Sequence, residues 1–113
     1  MNYTRFKNVV VIKLNEDEMD NLLLKQTFNN VNFAVKNFEI TILDMENINY
    51  LDSFAMSSLL ILVNRSRERG NELKFCNVSK YIREVIKFHG FDGHLSTLSY
   101  EQYEKIKEFS IAF

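Results

Sequence analysis

A strand-type run, Phe38-Glu39-Ile40-Thr41-Ile42-Leu43-Asp44, is followed after a polar loop by a helix-type run that opens at Asp52-Ser53. The first alternates and then fills in, as a central strand does. The second carries Met56, Leu59, Leu60 and Val63 on one face, widened by Leu62. A strand feeding an amphipathic helix has few stable continuations, and the commonest is a crossover to a parallel neighbour in the same sheet. The helix, expected over residues 53–69, ends in Arg65, Arg67 and Arg69, which suit the negative end of its dipole, and Gly70 stands at the C′ place. At its start, Tyr50-Leu51-Asp52-Ser53-Phe54-Ala55-Met56 sets a hydroxyl beside a carboxylate. A serine there caps the helix for about 1 kcal/mol, and it also stands where the free N–H groups accept a phosphate.

The same alternation extends along the chain. Val9-Val10-Val11-Ile12 with Leu14 reads as a buried strand, and Tyr3 to Phe6 pairs with it through Lys7-Asn8. Glu16 to Asp20 reads as an acidic loop, and the apolar spacing that follows predicts a helix over residues 20–36. Residues 72–78 alternate as a strand, and Ser79 caps a helix running to about His89, with Gly90 after it. A short strand over 95–98 and an amphipathic helix over 100–109 complete the series. The pattern predicts one α/β domain over residues 1–113, with a mixed, mainly parallel sheet of four to five strands and about four helices. Right-handed crossovers then gather Asp44, Asp52, Ser53 and the Asn77–Ser79 turn at one edge.

Composition narrows the function. The 113 residues are 46% hydrophobic and 26% charged, with a formal net charge of -1, so no overall charge draws the chain to nucleic acid or anionic lipid. One cysteine and two histidines build neither an internal disulfide nor the usual structural zinc site. No signal-peptide pattern is visible near Met1, and no apolar run approaches the roughly 20 residues that span a bilayer. The expectation is a cytoplasmic domain without membrane insertion.

Asp44 and Asp52 could pair as acid and base, but no nucleophile and histidine stand with them, so loop and capping roles are expected. His89 suits a helix C-terminus and His94 a surface loop, and Cys76 reads as a buried, inert thiol. The three arginines read as a solvated helix face. Ser57 and Ser58 lie inside the helix, at least one of them expected to be buried. Gly70 and Gly90 stand in no phosphate-cradling arrangement, and no cofactor is expected.

Three stretches resemble the STAS domain, within it the small bacterial anti-sigma factor antagonists. Ile42-Leu43-Asp44 through Asn47-Ile48-Asn49-Tyr50-Leu51-Asp52-Ser53 is similar to the family's strand, loop and Asp-Ser phosphorylation motif. Gly70 through Ser79 resembles the glycine, strand and Asn-Val-Ser turn that follow, and Val85 through Asp92 the helix ending in x-Gly-Leu-Asp. Phe54-Ala55-Met56-Ser57 stands where members usually carry a small residue and Gly-Leu-Gly, and Asn15 to Asp20 where a glycine-then-aspartate pattern is typical. The resemblance implies a regulatory protein in transcription, not an enzyme. It would bind an anti-sigma factor that is also a serine kinase while Ser53 is free, and be released once Ser53 is phosphorylated. A phosphoserine phosphatase would reset it. Asp44, Asp52, Ser53, Phe54, Ala55, Met56 and Ser57 are the expected partner-binding residues, and in the family the region of Asn15 to Asp20 contributes to docking. The alternative is a phosphorylation-independent STAS scaffold, stressosome-like or transport-associated.

Overall fold

A computed structural model describes residues 2–20, 22–91, 93, 96–99 and 101–105. Strands β1 (Asn2–Phe6) and β2 (Val9–Asn15) form an antiparallel hairpin whose turn places Lys7 at φ 51°. A 3-10 turn, Glu16–Met19, leads through Asp20 to α1 (Leu24–Asn37). Then follow β3 (Ile40–Asn47), α2 (Ser53–Glu68), β4 (Glu72–Cys76), α3 (Lys80–Phe88) and β5 (Ser96–Thr97). Residues 101–105 are helical again. Their start is fixed by a capping box in which Ser99 Oγ accepts from the Gln102 N–H at 3.1 Å and Gln102 Oε1 from the Ser99 N–H at 2.9 Å.

The sheet order is β1-β2-β3-β4-β5, parallel from β2 onward. Because each crossover leads to the next strand in the same direction, right-handed connections put α1, α2 and α3 on one face. The main core lies there. Val10, Ile12, Leu14, Leu43, Met45, Leu73 and Phe75 from the strands meet Val31, Val35, Leu59, Leu62, Ile82 and Ile86 from the helices. The alternate residues Val9, Val11, Ile42 and Cys76 face the other way, where Leu98 and Tyr103 cover them in a second, smaller cluster.

Several element bounds differ from those expected. The acidic segment is a 3-10 turn. Helix α1 begins at Leu24, because Asp20 Oδ1 accepts from the Leu22 and Leu23 N–H groups at 3.0 and 3.2 Å and holds them in a turn ahead of it. Strand β4 ends at Cys76 because Asn77 takes φ 54°, a left-handed conformation outside the β region. The C-terminal end of α2 follows the expected pattern, with Gly70 at φ 75° beyond Arg69. The arginine run is not wholly solvated: the Arg65 guanidinium lies 5.3 Å from the Phe28 ring centroid and reaches Asn32 Oδ1 at 3.3 Å, tying α2 to α1. Leu95, Tyr100 and residues 106–109 of the expected last strand and helix lie outside the described residues.

Cys76 is in no disulfide and is buried on the second face, as its place in the strand suggested. Desolvation there, with smaller contributions from Cys76 and Asp44, pushes the Tyr103 phenol up to about 12. An unfolded tyrosine releases its proton near pH 10, so between about 10 and 12 the unfolded chain holds fewer protons than the folded one. This contribution to stability is complete below pH 10 and is lost as pH rises through that window. Urea midpoints measured from pH 9 to 12 should fall, and the fall should be shallower in Tyr103→Phe; an identical slope in the variant would contradict the assignment.

Candidate functional site

The β3–α2 connection is short and tightly anchored. Ile48 and Leu51 are buried, and the Ile48 N–H bonds the Met45 carbonyl at 3.0 Å. Asn49 and Tyr50 between them are exposed, and the Asn49 N–H reaches Glu16 Oε1 at 3.3 Å. The loop is thereby linked to the 3-10 turn from the other side of the sequence. Glu16, Asp17, Met19 and Asp20 of that segment, with Tyr50 and Asp52, line a cleft of about 550 Å³. Among the described residues, no cation forms a salt bridge with its four carboxylates. No group of histidines, cysteines and carboxylates among the described residues is arranged to hold a metal ion.

Helix α2 is capped by Asp52, not by Ser53. Asp52 has extended backbone angles (φ -81°, ψ 172°), and its Oδ1 accepts from the Ala55 N–H at 2.7 Å. A charged acceptor at this position also answers the positive end of the helix dipole. Ser53 is the first helical residue, exposed, and its hydroxyl has no hydrogen-bond partner among the described residues. The expectation that Ser53 caps the helix is therefore corrected. Two adjacent residues of capping type stood at the boundary, and the backbone assigns the role to the first.

The expected site residues separate by burial. Asp52 is half-buried, Ser53 and Ser57 are exposed, and Phe54 is 68% exposed. Ile61, two helical turns beyond Phe54, is also exposed. Ala55 and Met56 are buried in the main core, so their side chains belong to the foundation of the helix and not to a contact surface. Ser58 is half-buried and donates to the Phe54 carbonyl at 2.9 Å, so neither Ser57 nor Ser58 is buried.

Asp44 does not join Ser53. Strand β3 runs on to Asn47, and the two-residue period turns Asp44 to the face opposite the helices, beside Ile42. It is 5% exposed, and its Oδ1 accepts from Asn77 Nδ2 at 3.0 Å and the Glu46 N–H at 3.1 Å. Asp44 thus fixes the turn after β4. Ser79 in that turn caps α3 as expected, accepting from the Ile82 N–H at 3.2 Å. On the same sheet face Lys13 pairs with Glu46 at 3.0 Å, and this hydrogen bond raises the Lys13 amine above its ordinary value. His89 is an exposed C-cap stacked on Phe91, with ring centroids 6.1 Å apart, and His94 lies outside the described residues. The acids of the 3-10 turn are the candidate-site residues that spacing alone did not place, since long-range contacts, the pairing of Asn15 with Asn47 and the bond from the Asn49 N–H to Glu16, bring them to Tyr50 and Asp52.

The capping assignment has a direct consequence for stability. Asp52→Ala should cost about 1 kcal/mol and Asp52→Asn much less, whereas Ser53→Ala should stay within about 0.5 kcal/mol of the parent. Denaturant unfolding of the three variants measures this; a Ser53→Ala loss equal to that of Asp52→Ala would return the cap to the serine.

No helix among the described residues is long and apolar enough to cross a membrane. No curated protein matches the chain by sequence. Solved structures do share its fold. An anti-sigma-factor antagonist (STAS) domain protein from Planctomyces limnophilus is 19% identical, with a TM-score of 0.77 over 94% of this chain and 95% of that one. The anti-sigma factor antagonist SpoIIAA in its unphosphorylated form is 20% identical, with a TM-score of 0.73 over 96% and 94% of the two chains. SpoIIAA from Bacillus in its phosphorylated form is also 20% identical, at 0.70 over 96% and 97%. A chain from the stressosome, a signal integration and transduction hub, is 15% identical, at 0.68 over 96% and 98%. The family model of the STAS domain matches residues 2–107, and the chain belongs to that family.

Proposed function

We propose that this chain is an anti-sigma factor antagonist-like regulator, bound by an anti-sigma factor that is also a serine kinase and released by phosphorylation of Ser53. The observation that carries this reading is the exposed Ser53 hydroxyl at the first position of α2, relieved of capping by Asp52. A kinase can reach such a hydroxyl without unfolding the helix. A phosphate adds roughly -1.5 to -2 charges. It would stand next to Asp52, near the acidic cleft of Glu16, Asp17 and Asp20. A partner surface fitted to a neutral hydroxyl would then face a strongly anionic, strongly hydrated group, so binding is lost by local electrostatics with no refolding.

Under this reading Asp52, Ser53, Phe54 and Ser57 form the contact surface, with Phe54 as its apolar anchor. Ala55 and Met56 serve it from beneath as core residues, and Asp44 on the far face of the sheet holds the turn after β4 instead. The chain is a substrate and not an enzyme; ATP belongs to the kinase, and a phosphoserine phosphatase restores the binding form. A cytoplasmic setting suits such partners. The SpoIIAA structures, described as unphosphorylated and phosphorylated forms of an anti-sigma factor antagonist, support the reading by likeness of fold. A second reading is a scaffold whose contacts do not depend on phosphate; likeness of fold to a chain of the stressosome, a signal integration and transduction hub, supports the scaffold part of it.

The two separate in one series. The candidate kinase and ATP should place phosphate on Ser53, mapped by mass spectrometry, and none on Ser53→Ala at that position. Ser53→Asp should bind the partner at least tenfold more weakly than the parent, a loss of about 1.4 kcal/mol or more. Absence of phosphate at Ser53, together with unchanged binding by Ser53→Asp, would contradict the switch and favour the scaffold.

A further inference from the structure

The hairpin carries the sheet one strand beyond the helices that cover it. On the helix face of β1, Tyr3 and Arg5 stand opposite Ile12 and Val10 of β2, and beside them α1 presents Phe33. A pocket of about 310 Å³ lies between strand and helix. Its floor is apolar and buried, made by Val10, Ile12 and Ala34. Tyr3 and Phe33 flank it as exposed aromatic walls, 67% and 66% accessible. This volume falls at the lower end of the range of small-molecule sites, about 300 to 1,000 Å³.

One charged group distinguishes the pocket from a bare apolar groove. The Arg5 guanidinium lies over the Phe38 ring, 5.3 Å from its centroid, and both residues line the cavity. Stacking on the ring holds the guanidinium while leaving its N–H donors available. Among the described residues, no carboxylate forms a salt bridge with Arg5. The exposed amide of Asn30 adds a second polar group to the lining. An apolar floor, aromatic walls and one oriented cation together complement an amphipathic anion, because a carboxylate is the group a guanidinium binds with two parallel hydrogen bonds.

We infer that this pocket binds a small amphipathic carboxylate, its apolar chain over Val10, Ile12 and Ala34 and its carboxylate on Arg5. The pocket lies toward the end of the sheet where Phe38 leads into β3, whereas Ser53 follows the other end of that strand. Occupancy is therefore independent of the proposed switch, and either can fail alone.

Octanoate and octanol, the same chain with and without the charge, are the probes. Titrated into the labelled protein and followed by two-dimensional amide NMR, octanoate should give saturable shifts centred on Tyr3, Arg5, Asn30 and Phe33. Arg5→Gln, an exposed change on an edge strand, should weaken octanoate about tenfold while leaving octanol unchanged. Ala34→Met, which fills the floor, should weaken both. The inference is overturned by shifts that do not saturate or that centre elsewhere, by equal octanoate affinity in the parent and Arg5→Gln, or by shifts along β1 that track self-association of the chain and not added octanoate.

Discussion

The bond from the Ala55 N–H to the Asp52 carboxylate sets the start of α2, and the residues around it make that start rigid. Ile48 and Leu51 before it, and Ala55 and Met56 after it, are all buried in the main core. Burying side chains of the size of leucine, isoleucine or methionine stabilises a fold by about 1.5–3 kcal/mol each. The helix entrance is thus fixed from below by apolar packing and closed at its end by one charged hydrogen bond. Ser53 and Phe54 take part in neither, and their exposure follows from that division. A polar group added to the Ser53 hydroxyl meets solvent and the neighbouring acids, while the core beneath keeps its packing.

The polar residues of the sheet's other face show how a carboxylate near a candidate site can still be structural. Asp44 and Asp52 are both carboxylates on the β3–α2 unit, yet the strand's two-residue period sends Asp44 to the far side. There it holds the left-handed Asn77 turn, and so the start of α3. Asp52, past the end of the strand, remains on the side of the helices. Their roles differ because of geometry, since their chemistry is the same.

Much of this was legible in the residues. The run of β-branched residues at Val9–Ile12 and the helical spacing of Met56, Leu59 and Val63 are period signals, and those elements stand where the periods put them. Gly70 and Ser79 marked helix ends for local steric and hydrogen-bonding reasons, and both hold their places. What was not legible depends on contacts distant in sequence or on backbone angles. Asp52 and Ser53 are both good caps, and only the extended conformation at Asp52 decides between them. The acids of the 3-10 turn reach the site through Asn49, a pairing that no local pattern encodes. The length of β3 beyond Asp44 had the same character, because its last residues alternate no more clearly than a loop.

The central claim is that modification of Ser53 changes the surface and leaves the fold intact. The most direct measurement compares amide NMR spectra and melting temperatures of the unmodified chain and a chain carrying phosphoserine at position 53, made by ligation so that no kinase is needed. The account predicts shifts confined to residues 50–57 and the 3-10 turn, with the core resonances of β2, β3 and β4 unmoved and the melting temperature nearly unchanged. Shifts spread through the main core, or a marked fall in melting temperature, would mean that the hydroxyl supports the helix after all.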